Sequence, residues 1–186
     1  MSPNPYFTIP FLLVVAILQS TAAPRLAMVG ARPDLMLTSI VSWTLLAAFR
    51  VRELEYAGES PSLTRGINDG IVWGFAGGLF LDLLSGAPLG ASALALMVAA
   101  LVVGVISVGI AIPAPLLVAL MTALGTLVYH LAFLAAMALT GRPVFWDADM
   151  ARVILPGVVL NLVLVPAVYG LLSIVDRRTS RERLQW

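Results

Sequence analysis

Long apolar segments alternate along the chain with short connections that contain prolines, glycines or charged residues. A helix of about 20 predominantly apolar residues crosses the hydrocarbon core of a bilayer, and six segments come near that length. Their predicted limits are about 6–23, 35–49, 68–84, 89–111, 116–140 and 151–175. The pattern predicts an all-α, polytopic membrane protein in which residues 1–186 form a single transmembrane domain of six transmembrane helices.

The second predicted helix follows Asp34, which stands where a helix N-cap is expected. Its extent, 35–49, corresponds to a rise of about 22 Å, which is less than the roughly 30 Å of the hydrocarbon core. We therefore expect Arg50 and Arg52 to reach the interface, or the bilayer to be thin there. The stretch from Arg50 to Arg65 is the one long polar connection, and it is interpreted as a solvated linker or as a docking site for a cytoplasmic partner.

Composition places the chain in a membrane, because 60% of its residues are hydrophobic and 11% are charged. The mean hydropathy is +0.99, and a soluble domain would carry about a quarter charged residues. A net charge of +1 without a large basic cluster argues against a nucleic-acid-binding protein. The sequence has no cysteine, which excludes disulfides and thiolate metal sites, and no lysine, which excludes Schiff-base chemistry.

The distribution of arginines predicts the orientation, because cytoplasmic loops carry an excess of basic residues. If the N-terminus is cytoplasmic, seven arginines lie inside, namely Arg50, Arg52, Arg65, Arg177, Arg178, Arg181 and Arg183. Four then lie outside, namely Arg25, Arg32, Arg142 and Arg152. Seven against four predicts that both termini are cytoplasmic, and the basic C-terminal tail is expected to contact anionic lipids.

Glycine recurs at every fourth position through the third predicted helix and beyond it, with one acid in the series. The residues are Gly66, Gly70, Gly74, Gly78, Asp82, Gly86 and Gly90. A four-residue step turns a helix by roughly 40°, so Gly70, Gly74 and Gly78 share one face. Small residues at this spacing let helices approach closely in lipid. Two interpretations stay open: this face packs against the small-residue face of the fourth helix, or it binds a helix of a partner protein.

Asp82 is a lone carboxylate near the end of the third predicted helix. A charge within a transmembrane segment costs a few kcal/mol, so it usually faces protein and has a partner. Three side chains are expected at a similar depth, namely His130, Arg142 and Arg152. We expect Asp82 to pair with one of them inside the bundle or to cap the turn at Ser85–Gly86.

The sequence offers no set of residues for catalysis. His130 is the only histidine, and one histidine without cysteines cannot form a structural zinc site. We expect it to be a buried, hydrogen-bonded, neutral side chain rather than a proton relay. Asn161 is expected to hydrogen-bond between helices. No nucleophile–base–acid set or phosphate-binding loop is evident, so we expect a binding protein or scaffold without cofactor or metal, not an enzyme.

The segment Gly78–Gly90 has the spacing G-x-x-x-D-x-x-S-G-x-P-L-G. Its fixed positions are Gly78, Asp82, Ser85, Gly86, Pro88, Leu89 and Gly90. This segment and the alanine-rich helix after it resemble the signature of the bacterial rod shape-determining protein MreD family. The resemblance implies a non-enzymatic scaffold of the cell-wall elongation machinery in the bacterial plasma membrane, involved in rod cell-shape determination.

The same resemblance implies particular partners. Proteins of this family act with MreC, a single-span protein with a large external domain, alongside the actin-like MreB filament, RodA and a class B penicillin-binding protein. The family is also similar in architecture to the substrate-binding subunits of energy-coupling-factor vitamin transporters. The alternative function is therefore a small-molecule-binding membrane subunit, in which Arg142, Trp146, Asp147 and His130 would contact a ligand.

Overall fold

Helices account for nearly all of the residues that the computed structural model describes, which are 5–22, 32–56, 63–142 and 154–182. The six helices in these ranges are α1 (Pro5–Thr21), α2 (Leu35–Tyr56), α3 (Leu63–Ser85), α4 (Ala91–Gly109), α5 (Ala114–Leu139) and α6 (Leu155–Glu182). The described ranges contain no strand. The predicted all-α class is therefore confirmed.

Four of the helices are long and apolar enough to cross a membrane. These candidate spans are Ile67–Ser85, Ala91–Gly109, Ala114–Leu139 and Leu155–Asp176. Two further apolar helices, Tyr6–Thr21 and Leu35–Val51, are shorter. The chain therefore has the helices of a membrane protein, and the apolar part of α2 is short, as the sequence indicates.

Three helices extend several residues beyond their predicted limits. The helix α2 continues to Tyr56 and α3 begins at Leu63, so the prediction of a connection from Arg50 to Arg65 is wrong at both of its ends. The helix α6 continues past residue 175 to Glu182. Arginine and glutamate are good helix formers, so charge marks where an apolar segment ends and not where its helix ends. Residues 57–62, at the middle of the expected connection, lie outside the described residues.

The helix α2 lies at the centre of the bundle. It packs against each of the other five helices, whereas α1 packs against α3, α3 against α4, α4 against α5 and α5 against α6. The other helices therefore follow one another around α2. This position explains why the α2 side chains from Met36 to Leu45 are almost all buried.

Aromatic rings join the first three helices at their middle. Trp73 of α3 is fully buried and stacks on Trp43 of α2, with ring centroids 4.3 Å apart and an interplanar angle of 9°. Phe11 of α1 packs against the indole ring of Trp73, with a distance of 5.8 Å between the ring centroids. Such pairs add to the stabilisation that burial alone provides.

At one end of the bundle α1, α3 and α5 end and α2, α4 and α6 begin; we call this the capped end. Gln19 of α1 and Asn161 of α6 both hydrogen-bond there to the first residues of α2. At the opposite end an ion pair joins Arg50 of α2 to Asp176 of α6. Because Asp34 and Arg50 are 16 residues apart, α2 and α6 are tied together at two levels separated by about 24 Å.

Gly74 and Gly78 place the backbones of α3 and α4 in contact. A Cβ atom at Gly74 would lie 3.0 Å from the carbonyl carbon and oxygen of Leu96. One at Gly78 would lie 2.7 Å from the carbonyl carbon of Ser92 and closer still to the backbone of Ala93. Only glycine permits this approach, so the α3–α4 pair depends on the spacing seen in the sequence.

We call the face formed by Gly70, Gly74 and Gly78 the glycine stripe. Its third member, Gly70, faces α2 instead of α4. A Cβ atom there would overlap the hydroxyl group of Thr44. The stripe of three glycines is thus covered by two helices of the same chain. Of the two interpretations that the sequence leaves open, packing within the chain describes this structure, and the stripe has no room for a partner's helix.

Gly78→Ala is expected to destabilise the protein by about 1–3 kcal/mol, because the added methyl group must push the two backbones apart. Gly170→Ala is the matched control, since a Cβ atom there meets nothing within 4 Å and alanine favours a helix more than glycine does. Thermal unfolding of the purified protein in detergent, followed by circular dichroism, measures both. Equal melting temperatures for the two variants would contradict the close α3–α4 contact.

Candidate functional site

Asp82, the last acid of α3, caps the N-terminus of α4. Its carboxylate accepts hydrogen bonds from the backbone amides of Gly90 at 2.8 Å, Ser92 at 3.0 Å and Ala93 at 3.4 Å. The first amides of a helix have no partner within the helix, and their partial positive charge attracts an anion. Asp82 is 2% exposed, so its carboxylate, and not water, accepts the hydrogen bonds of these amides. It caps the helix that follows the Ser85–Gly86 turn and not the turn itself.

The chain reverses direction between α3 and α4 in a turn that uses the remaining motif residues. Gly86 and Gly90 have φ angles of +67° and +94°, a conformation that costs glycine little and other residues more. The carbonyl group of Pro88 accepts a hydrogen bond from the first amide of α4 at 3.1 Å. The hydroxyl group of Ser85 accepts one from the amide two residues on, at 3.4 Å. The motif is therefore one structural unit, closed by Asp82.

Of the three side chains expected to pair with Asp82, the two that the structure describes, His130 and Arg142, do not bind it. The Nδ1 atom of His130 lies 2.8 Å from the carbonyl oxygen of Thr126. Arg142 is exposed, and Arg152 lies outside the described residues. Within the described ranges the hydrogen bonds of Asp82 go to backbone amides. The sequence led us to expect a cationic side chain as the partner of Asp82. The partial positive charge at the start of α4 takes that place.

The helix α2 also begins at a buried position with its amides bound by side chains. The Oδ1 atom of Asp34 accepts a hydrogen bond from the amide of Leu37 at 2.9 Å, which confirms the predicted cap. The amide of Leu35 donates to Oε1 of Gln19 at 2.7 Å, and the amide of Asp34 donates to Oδ1 of Asn161 at 2.8 Å. Three helices, α1, α2 and α6, thus supply the acceptors for the start of α2.

Asn161 connects this capped end to α5. Its Nδ2 atom donates to the hydroxyl oxygen of Thr126 at 3.1 Å, and its side chain is fully buried. The predicted role of Asn161 in bonding between helices is confirmed, since it joins α2, α5 and α6. Gln19 adds a bond from Nε2 to Oδ1 of Asp34 at 3.3 Å.

Tyr129 lies between the two capped helix ends. It is 9% exposed, it is within hydrogen-bonding reach of the Ser92 side chain, and it interacts electrostatically with both Asp34 and Asp82. The ring of His130 meets its ring edge-on, with centroids 5.3 Å apart. The two caps therefore belong to one layer of polar groups, which we call the polar layer: Gln19, Asp34, Asp82, Ser92, Thr126, Tyr129, His130 and Asn161.

Sequence reasoning missed four members of this layer, which are Gln19, Ser92, Thr126 and Tyr129. Each is a polar residue within an apolar helix. For two of them a signal was present, because Gln19 lies close to the end of the first predicted helix and Ser92 close to the start of the fourth. Alternating helices bring such positions to one end of a bundle.

The chemistry of the polar layer is that of holding helices together. Among the described residues no group of three His, Cys, Asp or Glu side chains is placed to hold a metal ion. The hydroxyl groups of Thr122 and Thr126 donate to carbonyl oxygens one turn earlier in α5, at 2.8 Å and 2.7 Å. Buried polar groups are stable when they are paired in this way.

Comparison of the chain with protein-family models, with curated proteins and with solved structures finds no match.

Asp82→Asn is expected to destabilise the protein by about 1.5–3 kcal/mol, because hydrogen bonds to a charged group are strong and the new amide group would face backbone N–H groups. The carboxylate uses both of its oxygens, so the substitution cannot preserve every bond. Ser85→Ala, in the same turn, removes one exposed 3.4 Å contact and should change the melting temperature little. A melting temperature for Asp82→Asn equal to that of the wild type would show that the cap is dispensable.

Asn161→Leu is expected to cost about 1–3 kcal/mol, because it leaves the Asp34 amide and the Thr126 hydroxyl group without their buried partner. Asn68→Leu makes the same change at an exposed position of α3 and serves as the control. Thermal unfolding in detergent compares the two proteins. If both variants unfold at the same temperature, Asn161 does not tie the helices together.

Proposed function

We propose that this protein is a non-enzymatic membrane scaffold of the bacterial cell-wall elongation machinery, of the MreD kind, and that it binds MreC. The observation that supports the proposal is the Gly78–Gly90 unit. Gly78 lets the backbone of α4 approach closely, and Asp82 caps the N-terminus of α4. Gly86 and Gly90 adopt the positive φ angles that the turn requires. A motif whose residues form one compact structural unit is a better basis for the resemblance than the residue spacing alone.

In the proposed topology all six helices cross the bacterial plasma membrane and both termini are cytoplasmic. The apolar segments of α1 and α2 are the shorter ones. These two helices would span the membrane with polar groups at their ends, such as Arg50, reaching the interface. The surface of α1 supports contact with lipid, because Leu13, Val14 and Ile17 are 42%, 54% and 46% exposed. The capped end then faces outward, toward the side where the external domain of MreC lies.

The surface for MreC in this proposal is the outer face of α3 and not its glycine stripe. Val72, Phe75 and Leu83 are 61%, 51% and 64% exposed, and steps of three and eight residues place them on one side of the helix. This side lies opposite the stripe that α2 and α4 cover. The Asp82 cap holds this face in place relative to α4.

The same proposal includes contacts with MreB, RodA and the class B penicillin-binding protein on the cytoplasmic side and in the membrane. The helix α6 extends as far as Glu182, so it projects beyond its apolar span Leu155–Asp176. The proposed cytoplasmic end of α6 carries the arginines of the tail, and anionic lipids would bind there.

The alternative, a vitamin-like-binding subunit of an energy-coupling-factor transporter, is favoured by one observation. The polar layer gathers buried polar side chains at one end of the bundle, where such a subunit would hold its ligand. Against it, the side chains of Gln19, Asp34 and Asn161 bind one another and the amides of α2. A ligand would have to break these bonds.

Single cysteines at Val72, Phe75 and Leu83, labelled with a photoreactive benzophenone, are expected to crosslink to co-expressed MreC. The natural sequence has no cysteine, so each label has one position. Cysteines at Val159 and Val163 of α6, which are 61% and 72% exposed, are the matched controls and should give little product. Immunoblotting for MreC detects the adducts.

A complete lack of MreC adducts from the α3 positions would contradict the scaffold proposal. Mass spectrometry of the same purified protein, extracted under denaturing conditions, tests the alternative. A small molecule recovered in stoichiometric amount would favour the transporter subunit.

A further inference from the structure

The two capping acids differ in how their oxygens are used. Asp82 accepts through both oxygens, with Oδ1 bound to Ser92 and Oδ2 bound to Gly90. Asp34 accepts from the Leu37 amide and from Gln19 through the same oxygen, Oδ1. An asparagine at position 34 can keep these two bonds, although the carboxyl group of Asp34 also interacts with the backbone amide of Met36; one at position 82 cannot keep its set.

Among the described residues, neutral side chains lie beside Asp34, and the start of α2 supplies the partial positive charge closest to its carboxyl group. The side chain is 6% exposed. From α1 it meets Gln19 and from α6 it meets Asn161, which are both neutral. Of the described residues, the titratable groups that interact with it come from α5 and are His130 and Tyr129. Arg32 is close in sequence, but its side chain is exposed.

Asp34 precedes the apolar segment Leu35–Val51, and burial raises the pKa of its carboxyl group above the ordinary value of 3.8. The backbone amides of Leu37 and Met36, the electrostatic effect of His130 and the bond from Gln19 act in the opposite direction without cancelling the effect of burial. A carboxyl group whose pKa is raised by folding binds its proton more tightly in the folded protein. Its contribution to stability is complete below pH 3.8 and is lost as the pH rises through the higher folded value.

We propose that Asp34 is a proton-binding site that acts as a pH-sensitive latch at the capped end. With the proton bound, the described side chains at the junction of α1, α2 and α6 carry no net charge, and the junction stays closed around the Asp34 backbone and side chain. When the proton leaves, a buried charge remains that must be hydrated. Entry of water separates Gln19 and Asn161 from the start of α2. The inference does not depend on the proposed scaffold function.

Thermal unfolding of the full-length protein in detergent across a pH series tests the latch. The melting temperature of the wild type is expected to fall as the pH rises, by at least about 2 °C. Asp34→Asn should remove most of this fall and should unfold at a higher temperature than the wild type at the alkaline end. Asp176→Asn is the matched control at the opposite end of the bundle, and it should keep the pH dependence.

His130→Gln separates the contribution of Asp34 from that of His130. The latch predicts that this variant still loses stability as the pH rises, because Asp34 remains. The proposal is overturned if the pH dependence disappears in His130→Gln and persists in Asp34→Asn, since the histidine would then be the titrating group. It is also overturned if Asp34→Asn and the wild type respond equally to pH.

Two spectroscopic readouts keep the test decisive if a variant folds poorly. Infrared spectroscopy of the wild type should show a protonated carboxyl band that disappears as the pH rises and is missing in Asp34→Asn. Hydrogen exchange should show the start of α2 exchanging faster in the wild type than in Asp34→Asn at the alkaline end. The start of α4, which Asp82 caps, should exchange equally in both and is the internal control.

Discussion

A helix that begins inside a membrane protein leaves its first amides without partners and without water. In lipid each such group costs several kcal/mol unless another part of the protein accepts its hydrogen bond. Here α2 and α4 both begin at buried positions, and acids placed at the capped end accept those bonds. The positions of α1, α3 and α6 around these two helix ends follow from that requirement, because Gln19, Asp82 and Asn161 must all reach them.

Close packing of α3 on α4 is the second consequence. Asp82 can reach three amides of α4 only if the backbones approach closely, and Gly78 makes the approach possible. The same carboxylate then fixes the turn that Gly86 and Gly90 permit. Gly78, Asp82, Gly86 and Gly90 therefore act together to hold two antiparallel helices together at the level where the chain turns.

The sequence predicted the helices well because hydrophobic length is a strong signal, and it predicted Asp34 as a cap because the residue stands before an apolar run. It could not identify the partners of Asp82, since every residue has a backbone amide and the amides of Gly90 and Ser92 carry no mark in the sequence. It could not decide whether Gly74 faces its own chain or another, because spacing defines a face and not its neighbour. The end of α2 was missed because Tyr56 lies in a charged stretch that is also a good helix.

The packing of α3 on α4 depends most on the hydrogen bonds between the carboxylate of Asp82 and the amides at the start of α4. Hydrogen exchange resolved at single residues by nuclear magnetic resonance measures this directly in the wild-type protein in detergent. The amides of Gly90 and Ser92 are predicted to exchange slowly, whereas the amide of Ala87, bound only by a 3.4 Å contact to Ser85, exchanges fast. Exchange of Ser92 as fast as that of Ala87 would contradict the account.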